Sequence, residues 1–115
     1  MTGANGIETP SVLRFNSEEV EAIVVCILED TLGKRNYEHA KTQSWSKAIL
    51  EQTLERLTKM SKPYKYIVDC TIAEKRGGLH HASSCFWDTD RDACCAIKFE
   101  NQTISCIVNV FAVSL

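Results

Sequence analysis

Residues 17–32 carry the apolar spacing of an amphipathic helix that buries one side. Apolar residues recur at intervals of three and four positions, at Val20, Ile23, Val24, Ile27 and Leu28. Asn16 is the predicted N-cap, with Glu19 three residues later. Gly33 predicts the end of the helix. Residues 1–14 show no periodicity and contain Gly, Asn, Thr and Pro, so we expect a flexible N-terminal tail there.

A second helical pattern extends from about Glu38 to Met60. Its apolar side consists of Trp45, Ile49, Leu50, Leu54, Leu57 and Met60. This arc covers about half of the helix circumference, which is typical of a helix that lies flat on a sheet. Trp45 is accordingly interpreted as a core residue rather than a ligand contact. Pro63 prevents the helix from continuing.

Beyond Pro63 the apolar period changes from about 3.6 residues to about 2, which predicts β-strands. In the first predicted strand, one face carries Tyr64, Tyr66, Val68, Cys70 and Ile72. Three more strands are predicted at residues 79–88, 93–100 and 103–113, and Asn101–Gln102 forms the last tight turn. The predicted fold is therefore α+β, with two N-terminal helices packed on a four-stranded antiparallel sheet.

Two of the predicted strands are apolar on both faces, although two helices cover only one face of a sheet. In the last strand, Ile107, Phe111 and Val113 face away from its other apolar residues. In the second strand, the neighbours Phe86 and Trp87 must point to opposite faces. A second copy related by a two-fold axis would cover the remaining face. We therefore predict a homodimer whose interface contains Ala82, Phe86, Ile107, Phe111 and Val113.

The stretch LHHASSCFWD, residues 79–88, is the strongest candidate for a binding strand. Ala82, Ser83 and Ser84 are small, so another backbone can approach closely. An exposed sheet edge offers unpaired N–H and C=O groups, which an extended peptide satisfies by joining as a strand. Phe86 and Trp87 would then supply apolar pockets for the peptide or anchor the dimer. Periodicity alone leaves open the alternative that this strand lies inside the sheet.

The same residues do not support a metal, nucleotide or catalytic site. No CxxC pair occurs, and His81 and Cys85 lie about 13 Å apart along an extended strand, too far for one ion. Gly77–Gly78 lacks a Walker lysine and is interpreted as a turn. A thiol enzyme would need Cys85 beside one of the histidines, His39, His80 or His81, and no signal for an activated thiolate accompanies this cysteine. We expect no enzymatic activity, no metal and no cofactor.

Charge and composition narrow the class of partners. Thirteen basic residues stand against fifteen acidic ones, without a basic run, so no nucleic-acid binding is expected. No stretch approaches the roughly 20 apolar residues of a membrane span, and residues 1–10 lack the features of a secretory signal. We expect a cytoplasmic protein without membrane insertion. The six cysteines lie in apolar runs and are interpreted as reduced core residues.

Four stretches of the chain resemble the Tctex-type dynein light chains. They are YEHAK at residues 37–41, WSKAILEQTLERLTK at 45–59, KPYKYIVDC at 62–70 and LHHASSCFWD at 79–88. The likeness extends from about Phe15 to Leu115, so residues 15–115 are taken as one domain of this type. The loop at Gly77–Gly78 is one residue shorter than is usual in the family.

This resemblance implies a non-catalytic, strand-exchanged homodimer with two equivalent grooves at its interface. Such light chains bind an extended segment of the dynein intermediate chain, and cargo peptides as well, beside the strand that corresponds to Ser83–Trp87. The resemblance therefore implies five peptide-binding residues, Ser83, Ser84, Cys85, Phe86 and Trp87. The implied location is cytoplasmic and microtubule-associated, with cytoplasmic and axonemal dynein both open. Two other hypotheses remain: a free-standing dimeric peptide adaptor outside dynein and, less favoured, a thiol enzyme that uses Cys85.

Overall fold

Two main helices and four strands make up the described part of the chain. A computed structural model describes residues 15–60, 63–75, 81–88 and 92–114, apart from the side chains of residues 81–83 and 88. In chain order the elements are α1 (Ser17–Thr31), a short 3₁₀ helix (His39–Lys41), α2 (Thr42–Thr58), β1 (Tyr64–Glu74), β2 (His81–Asp88), β3 (Asp92–Glu100) and β4 (Ile104–Ser114). The strands pair in the antiparallel order β1-β4-β3-β2.

The predicted α+β fold of two helices on a four-stranded antiparallel sheet is confirmed. The sequence pattern did not predict the order of the strands in the sheet. β1 and β2 lie at opposite edges, and β4 and β3 lie between them. The predicted tail at residues 1–14 and the Gly77–Gly78 turn lie outside the described residues, as do Leu79 and His80 of the predicted second strand.

α1 begins and ends where the capping residues predict. The Asn16 side chain accepts a hydrogen bond of 3.1 Å from the Glu19 backbone N–H, which satisfies a free donor of the first turn. At the other end Gly33 takes a φ of 41°, and a Cβ there would lie 2.8 Å from the Glu29 carbonyl oxygen. The predicted apolar side is confirmed, with four positions fully buried, Val20, Val24, Ile27 and Leu28.

α2 is shorter than predicted and buries a narrower stripe. Residues 39–41 form a separate 3₁₀ turn, and the α-helix begins at Thr42. Its buried residues lie at intervals of four, at Trp45, Ile49, Thr53 and Leu57. Trp45 is thus a core residue, as predicted. The placement of Leu54 on the buried side was wrong, because the helix presents Thr53 to the core and leaves Leu54 37% exposed.

The sheet and both helices enclose one apolar core. Alternate residues of β3 and β4 are buried beneath α1 and α2, namely Cys95, Ile97, Phe99, Ile104, Cys106, Val108 and Val110. The predicted inner face of β1 turns the same way but is only half-buried, since β1 is an edge strand. The opposite side of the sheet is covered by none of the described helices and is called the open face below.

Asn101 joins the β3–β4 turn to the end of α1. Its Nδ2 donates to the carbonyl oxygens of Gly33 and Arg35 at 2.9 and 3.0 Å. Its Oδ1 accepts from the backbone N–H groups of Thr103 and Ile104 at 3.0 and 2.8 Å. The predicted turn is confirmed, and the asparagine side chain, 4% exposed, uses both its donors and its acceptor there.

The cysteines are free thiols, but they do not all lie in the core. Cys95 and Cys106 are buried, whereas Cys26 and Cys85 are exposed. The core interpretation is therefore wrong for the last two. Cys26 falls off the buried stripe of α1, and Cys85 lies on the open face of an edge strand. Among the described helices, of 15 and 17 residues, none combines the length and apolarity that a membrane crossing needs.

Candidate interaction surface on the open face and the β2 edge

A band of large apolar side chains crosses the open face from edge to edge. In register, Ile67 of β1 lies opposite Phe111 of β4, Phe111 opposite Cys94 of β3, and Cys94 opposite Trp87 of β2. Trp87 is 59% exposed, Ile67 52% and Phe111 37%. Their neighbours Ile107 and Val113 on β4 are exposed to a similar extent. The described chain alone therefore leaves an apolar row uncovered on all four strands.

The exposure of β4 is unusual because β4 lies in the middle of the sheet. A sheet with one solvated face normally alternates apolar and polar residues along each strand. β4 instead buries Val108 and Val110 beneath the helices while presenting Ile107 and Phe111 on the open face. Contiguous exposed apolar surface of this kind marks an interaction site in soluble proteins. The pattern indicates that another molecule covers this face.

A polar pair interrupts the open face beside the apolar band. Asn109 Nδ2 donates to Asp69 Oδ1 at 2.8 Å across the β4–β1 ladder. Further along, Lys98 lies opposite Ile107 and forms an ion pair of 3.6 Å with Glu100. A covering molecule must therefore match apolar and polar rows in order, which fixes its orientation as well as its affinity.

β2 forms the edge of the sheet and is tied to α1 by two side chains on the helix side. Phe86 stacks on Phe15, with ring centroids 5.7 Å apart and planes 2° from parallel. Ser84 Oγ donates to Glu21 Oε2 at 2.8 Å. Among the described strands β2 pairs only with β3, so its other edge presents unpaired backbone groups. An extended peptide needs such an edge to add a strand.

The five predicted peptide-binding residues all lie on this edge strand, distributed over two faces. Ser84 and Phe86 face the helices, whereas Cys85 and Trp87 lie on the open face. Ser83 is described by its backbone, which lies opposite Lys98. The alternative of a strand inside the sheet does not apply to the described chain. A peptide along this edge would meet small polar groups on one side and Trp87 on the other.

The predicted dimer residues do not form one surface. Ile107, Phe111 and Val113 lie together on the open face. Phe86 lies on the helix side against Phe15, and the Ala82 backbone lies opposite Phe99. A partner that rests flat on the open face would therefore contact the three β4 residues. It could contact Phe86 only by also reaching around the β2 edge to the helix side.

Two contributors to this surface were not identified from the sequence. Ile67 is among the most exposed apolar residues, yet it stands between Lys65 and Asp69 on the polar side of β1. An isoleucine on an otherwise polar strand face was the sequence signal that could have identified it. Glu21 anchors Ser84 from 63 residues away, and no local pattern announces such a contact.

The described residues contain no group of three or more histidine, cysteine or acidic side chains arranged to hold a metal ion. His39 contacts the Tyr37 hydroxyl at 3.1 Å, next to α2, which packs on β1 at the sheet edge remote from Cys85. Burial raises the pKa of Cys94, the thiol beside Trp87 in register, and raises that of Cys95 to about 11. These two thiols stay protonated at neutral pH, so neither is an activated nucleophile.

An edge strand with free backbone groups and an uncovered apolar sheet face are the features expected of a small assembly module, a domain that binds other chains through its sheet. The profile of the Tctex-1 family matches residues 14–113. The chain belongs to the Tctex-1 family.

Named relatives share most of the chain. It is 46% identical over 102 residues to the human dynein light chain Tctex-type 3, covering 88% of both chains. It is 42% identical to the Drosophila melanogaster dynein light chain Tctex-type, covering 89% of this chain and 93% of the relative. The Dictyostelium discoideum protein of the same name is 37% identical, with 84% and 89% covered. The resemblance drawn from four sequence stretches is therefore confirmed.

Proposed function

We propose that this chain is a non-catalytic light chain of a dynein motor complex and that it works as a homodimer. As such it is cytoplasmic and associated with microtubules through the motor. The single observation that carries the dimer is the apolar band on the open face, which the chain's own helices leave uncovered. Family membership supports the motor complex, because the named relatives are dynein light chains.

The free energy gained by covering the apolar band is comparable with the cost of association. Taking roughly 200 Å² for an aromatic residue and about 25 cal/mol per Å², covering the exposed part of Trp87 contributes about 3 kcal/mol per copy, and Phe111 about 2. A two-fold axis doubles these values to about 10 kcal/mol. Association costs on the order of 4–15 kcal/mol, and Ile67, Ile107 and Val113 add further burial.

Strand exchange is part of this proposal. In the described chain β2 pairs with its own β3, and two side-chain contacts hold it to α1, Phe86 on Phe15 and Ser84 on Glu21. The same register can form with the β3 of a second copy, because every contact of an exchanged strand repeats the intramolecular one. Ala82 and Phe86 would then belong to the interface through β2, and Ile107, Phe111 and Val113 through the open face.

We further propose that the dimer binds an extended segment of the dynein intermediate chain, and cargo peptides by the same mode. The segment adds as a strand beside Ser83–Trp87, satisfying the free N–H and C=O groups of β2. Two equivalent grooves hold two copies of the partner, so the first contact makes the second intramolecular and avidity exceeds either affinity alone. The light chain would clamp two intermediate chains side by side.

Isothermal titration of an intermediate-chain peptide into the purified protein tests the binding mode. The expected stoichiometry is two peptides per dimer, with the dimer established by analytical ultracentrifugation. Ser84→Pro removes a backbone donor from β2 and should abolish binding. Ser84→Ala is the matched control: it loses the Glu21 contact but keeps the backbone, so binding should persist within a few-fold. Retained binding and dimerisation by Ser84→Pro would refute the assignment of this strand.

The remaining alternatives are separated by two measurements. Recovery of the intermediate chain with this protein from its native cell supports the motor complex, whereas recovery of other clients alone would support a free-standing adaptor. Cys85→Ser should leave peptide affinity within a few-fold, because this thiol only lines the open face beside Trp87. Loss of a measured turnover in that variant would instead support a thiol enzyme.

A further inference from the structure

Two cysteines on neighbouring strands bring their sulfur atoms together on the helix side of the sheet. Cys70 Sγ of β1 lies 3.6 Å from Cys106 Sγ of β4. Cys70 pairs in register with Val108, and Cys106 with Ile72, so the two thiols are diagonal neighbours across the ladder. A disulfide has an S–S distance of about 2.05 Å, so the sulfurs must approach by roughly 1.5 Å. Diagonal neighbours have Cα atoms about 7–8 Å apart, so the two strands must also shift locally for the bond to form.

The two thiols differ in their access to solvent. Cys106 is fully buried, whereas Cys70 is half-buried and lines an open cleft of about 580 Å³ between α2 and β1. Ser46 and Lys47 of α2 line the same cleft. A small solute in the cleft therefore meets Cys70, whereas Cys106 is closed to solvent.

The hydrogen bond between the two thiols shifts their pKa values in opposite directions. The pKa of Cys70 is lowered, first because the Cys106 thiol can donate to its sulfur and then by a hydrogen bond with Ser46, while burial opposes both effects. The pKa of Cys106 is raised, because it retains the proton that it shares with Cys70 and because it is buried. The accessible sulfur is thus the one that ionises first, which is the arrangement a nucleophilic thiol requires. The Asp69 carboxylate also opposes the lowering of the Cys70 pKa.

We propose that Cys70 and Cys106 form a peroxide-sensitive dithiol, a modification site in which Cys70 reacts and Cys106 resolves. The oxidant is a peroxide, either hydrogen peroxide or a small alkyl hydroperoxide. The Cys70 thiolate attacks one oxygen, the O–O bond breaks, and Cys70 becomes a sulfenic acid while the other oxygen leaves as water or alcohol. Cys106 then attacks the Cys70 sulfur; the S–S bond forms, the S–O bond breaks, and the hydroxide leaves as water with the Cys106 proton.

This reaction links β1 covalently to β4 and removes the Cys70 sulfur from Ser46 at the base of α2. Two thiols and one peroxide become one disulfide, one water and one water or alcohol, so atoms and electrons balance. Neither thiol lies on the open face or on β2, so the inference stands independently of the proposed peptide groove. The product is a disulfide, so a dithiol reductant reverses the reaction by thiol–disulfide exchange.

Peptide mapping of the full chain tests the proposal directly. The reduced protein is exposed to substoichiometric and then excess hydrogen peroxide, alkylated, and digested with trypsin without reduction. Cleavage after Lys75 and Lys98 places Cys70 and Cys106 on different peptides, and neither peptide carries another cysteine. We expect the disulfide-linked peptide pair to appear before the exposed Cys26 and Cys85 are oxidised, and dithiothreitol to reverse it.

Two variants separate the roles of the sulfurs. Cys106→Ser should stop at the sulfenic acid, which dimedone traps at Cys70, and Cys70→Ser should leave Cys106 unoxidised under the same exposure. Cys95→Ser, which alters another buried thiol, is the control and should form the linked pair at the wild-type rate. Oxidation confined to Cys26 or Cys85 in the wild-type chain, with Cys70 and Cys106 recovered alkylated, would overturn the proposal without reliance on any variant.

Discussion

Asn101→Ala should be among the most damaging single substitutions in the described chain, although it removes only a small polar side chain. Asn101 makes four hydrogen bonds, to Gly33, Arg35, Thr103 and Ile104, and is 4% exposed. These bonds connect the β3–β4 turn with the segment after α1. Alanine leaves two carbonyl oxygens and two N–H groups without this partner, and one of these groups, the Ile104 N–H, is buried.

The expected loss of unfolding free energy is about 3 kcal/mol. A net hydrogen bond contributes about 1 kcal/mol, so four bonds set a value near 4. Water can reach part of the site, because three of the four bonds are only partly buried, and this reduces the sum. Loss of the bond to the Ile104 N–H carries its full energetic cost, because this N–H is buried. In a chain of this size the change corresponds to a fall in Tm of roughly 10–15 °C.

Urea unfolding of wild type and variant at equal protein concentration measures this loss. Trp45 is 7% exposed, so its fluorescence reports disruption of the core, and far-UV circular dichroism provides the second probe. Gln102→Ala, one residue along in the same turn, is the matched control because Gln102 is exposed. We expect that control to stay within about 0.5 kcal/mol of wild type.

Asn101→Asp adds a dependence on pH whose sign follows from the same geometry. The aspartate keeps the acceptor for Thr103 and Ile104 but turns a second oxygen toward the Gly33 and Arg35 carbonyl oxygens. Burial and this repulsion raise the pKa of the new carboxyl in the folded state above its unfolded value of about 3.9. The variant is therefore least stable relative to wild type at neutral pH and recovers as the pH falls through the raised pKa toward 4. A loss under 0.5 kcal/mol for Asn101→Ala, or a constant difference across pH for Asn101→Asp, would contradict the role assigned to this side chain.

Four further substitutions test separate parts of the structure. Phe111→Ser should convert the dimer to monomer in sedimentation velocity at micromolar concentration, since it removes about 2 kcal/mol of burial from each copy. Asn16→Ala should lower the unfolding free energy by about 1 kcal/mol through loss of the cap to α1. Gly33→Ala should lower it by roughly 1–2 kcal/mol, because φ is 41° and the new Cβ meets the Glu29 carbonyl. Thr53→Val should raise it by about 1 kcal/mol, as the buried Thr53 hydroxyl has no partner among the described residues.

Two of these variants, Phe111→Ser and Asn16→Ala, have a matched control elsewhere in the chain. Leu54→Ser removes a residue with the same 37% exposure as Phe111 but from α2, and it should leave the dimer intact. Asn36→Ala changes an exposed asparagine in the segment after α1, with an expected effect below 0.5 kcal/mol. If Leu54→Ser dissociated the dimer as readily as Phe111→Ser, the proposal that the open face is the dimer interface would be refuted. A destabilised Thr53→Val would show that the hydroxyl finds a partner in solution.

Periodicity predicted the elements well because the core is built from regular alternation. β3 and β4 bury every second residue, and α1 buries the positions spaced by three and four, so apolar residues alone indicated which faces point inward. The two apolar faces of β4 were equally visible, and they are the feature on which the proposed dimer rests. Capping by Asn16 was predictable because it depends on residues only three apart.

Contacts between distant segments were not predictable in the same way. The strand order, the stacking of Phe86 on Phe15 and the Ser84–Glu21 bond depend on which strands lie side by side, which one chain's pattern does not encode. The predicted apolar side of α2 included Leu54, because the sequence does not show how wide a stripe of the helix the sheet covers. The closeness of Cys70 and Cys106 likewise required the β1–β4 register.

The position of β4 has a consequence for the order in which the chain can fold. β4 is the last strand to be synthesised, yet both β1 and β3 pair with it. β1 pairs with β4 across intervals such as the 40 residues between Asp69 and Asn109, so it has no neighbour in the sheet while synthesis is in progress. Such non-local pairing slows folding and exposes apolar segments to aggregation. A premature stop before Ile104 should therefore yield an insoluble chain.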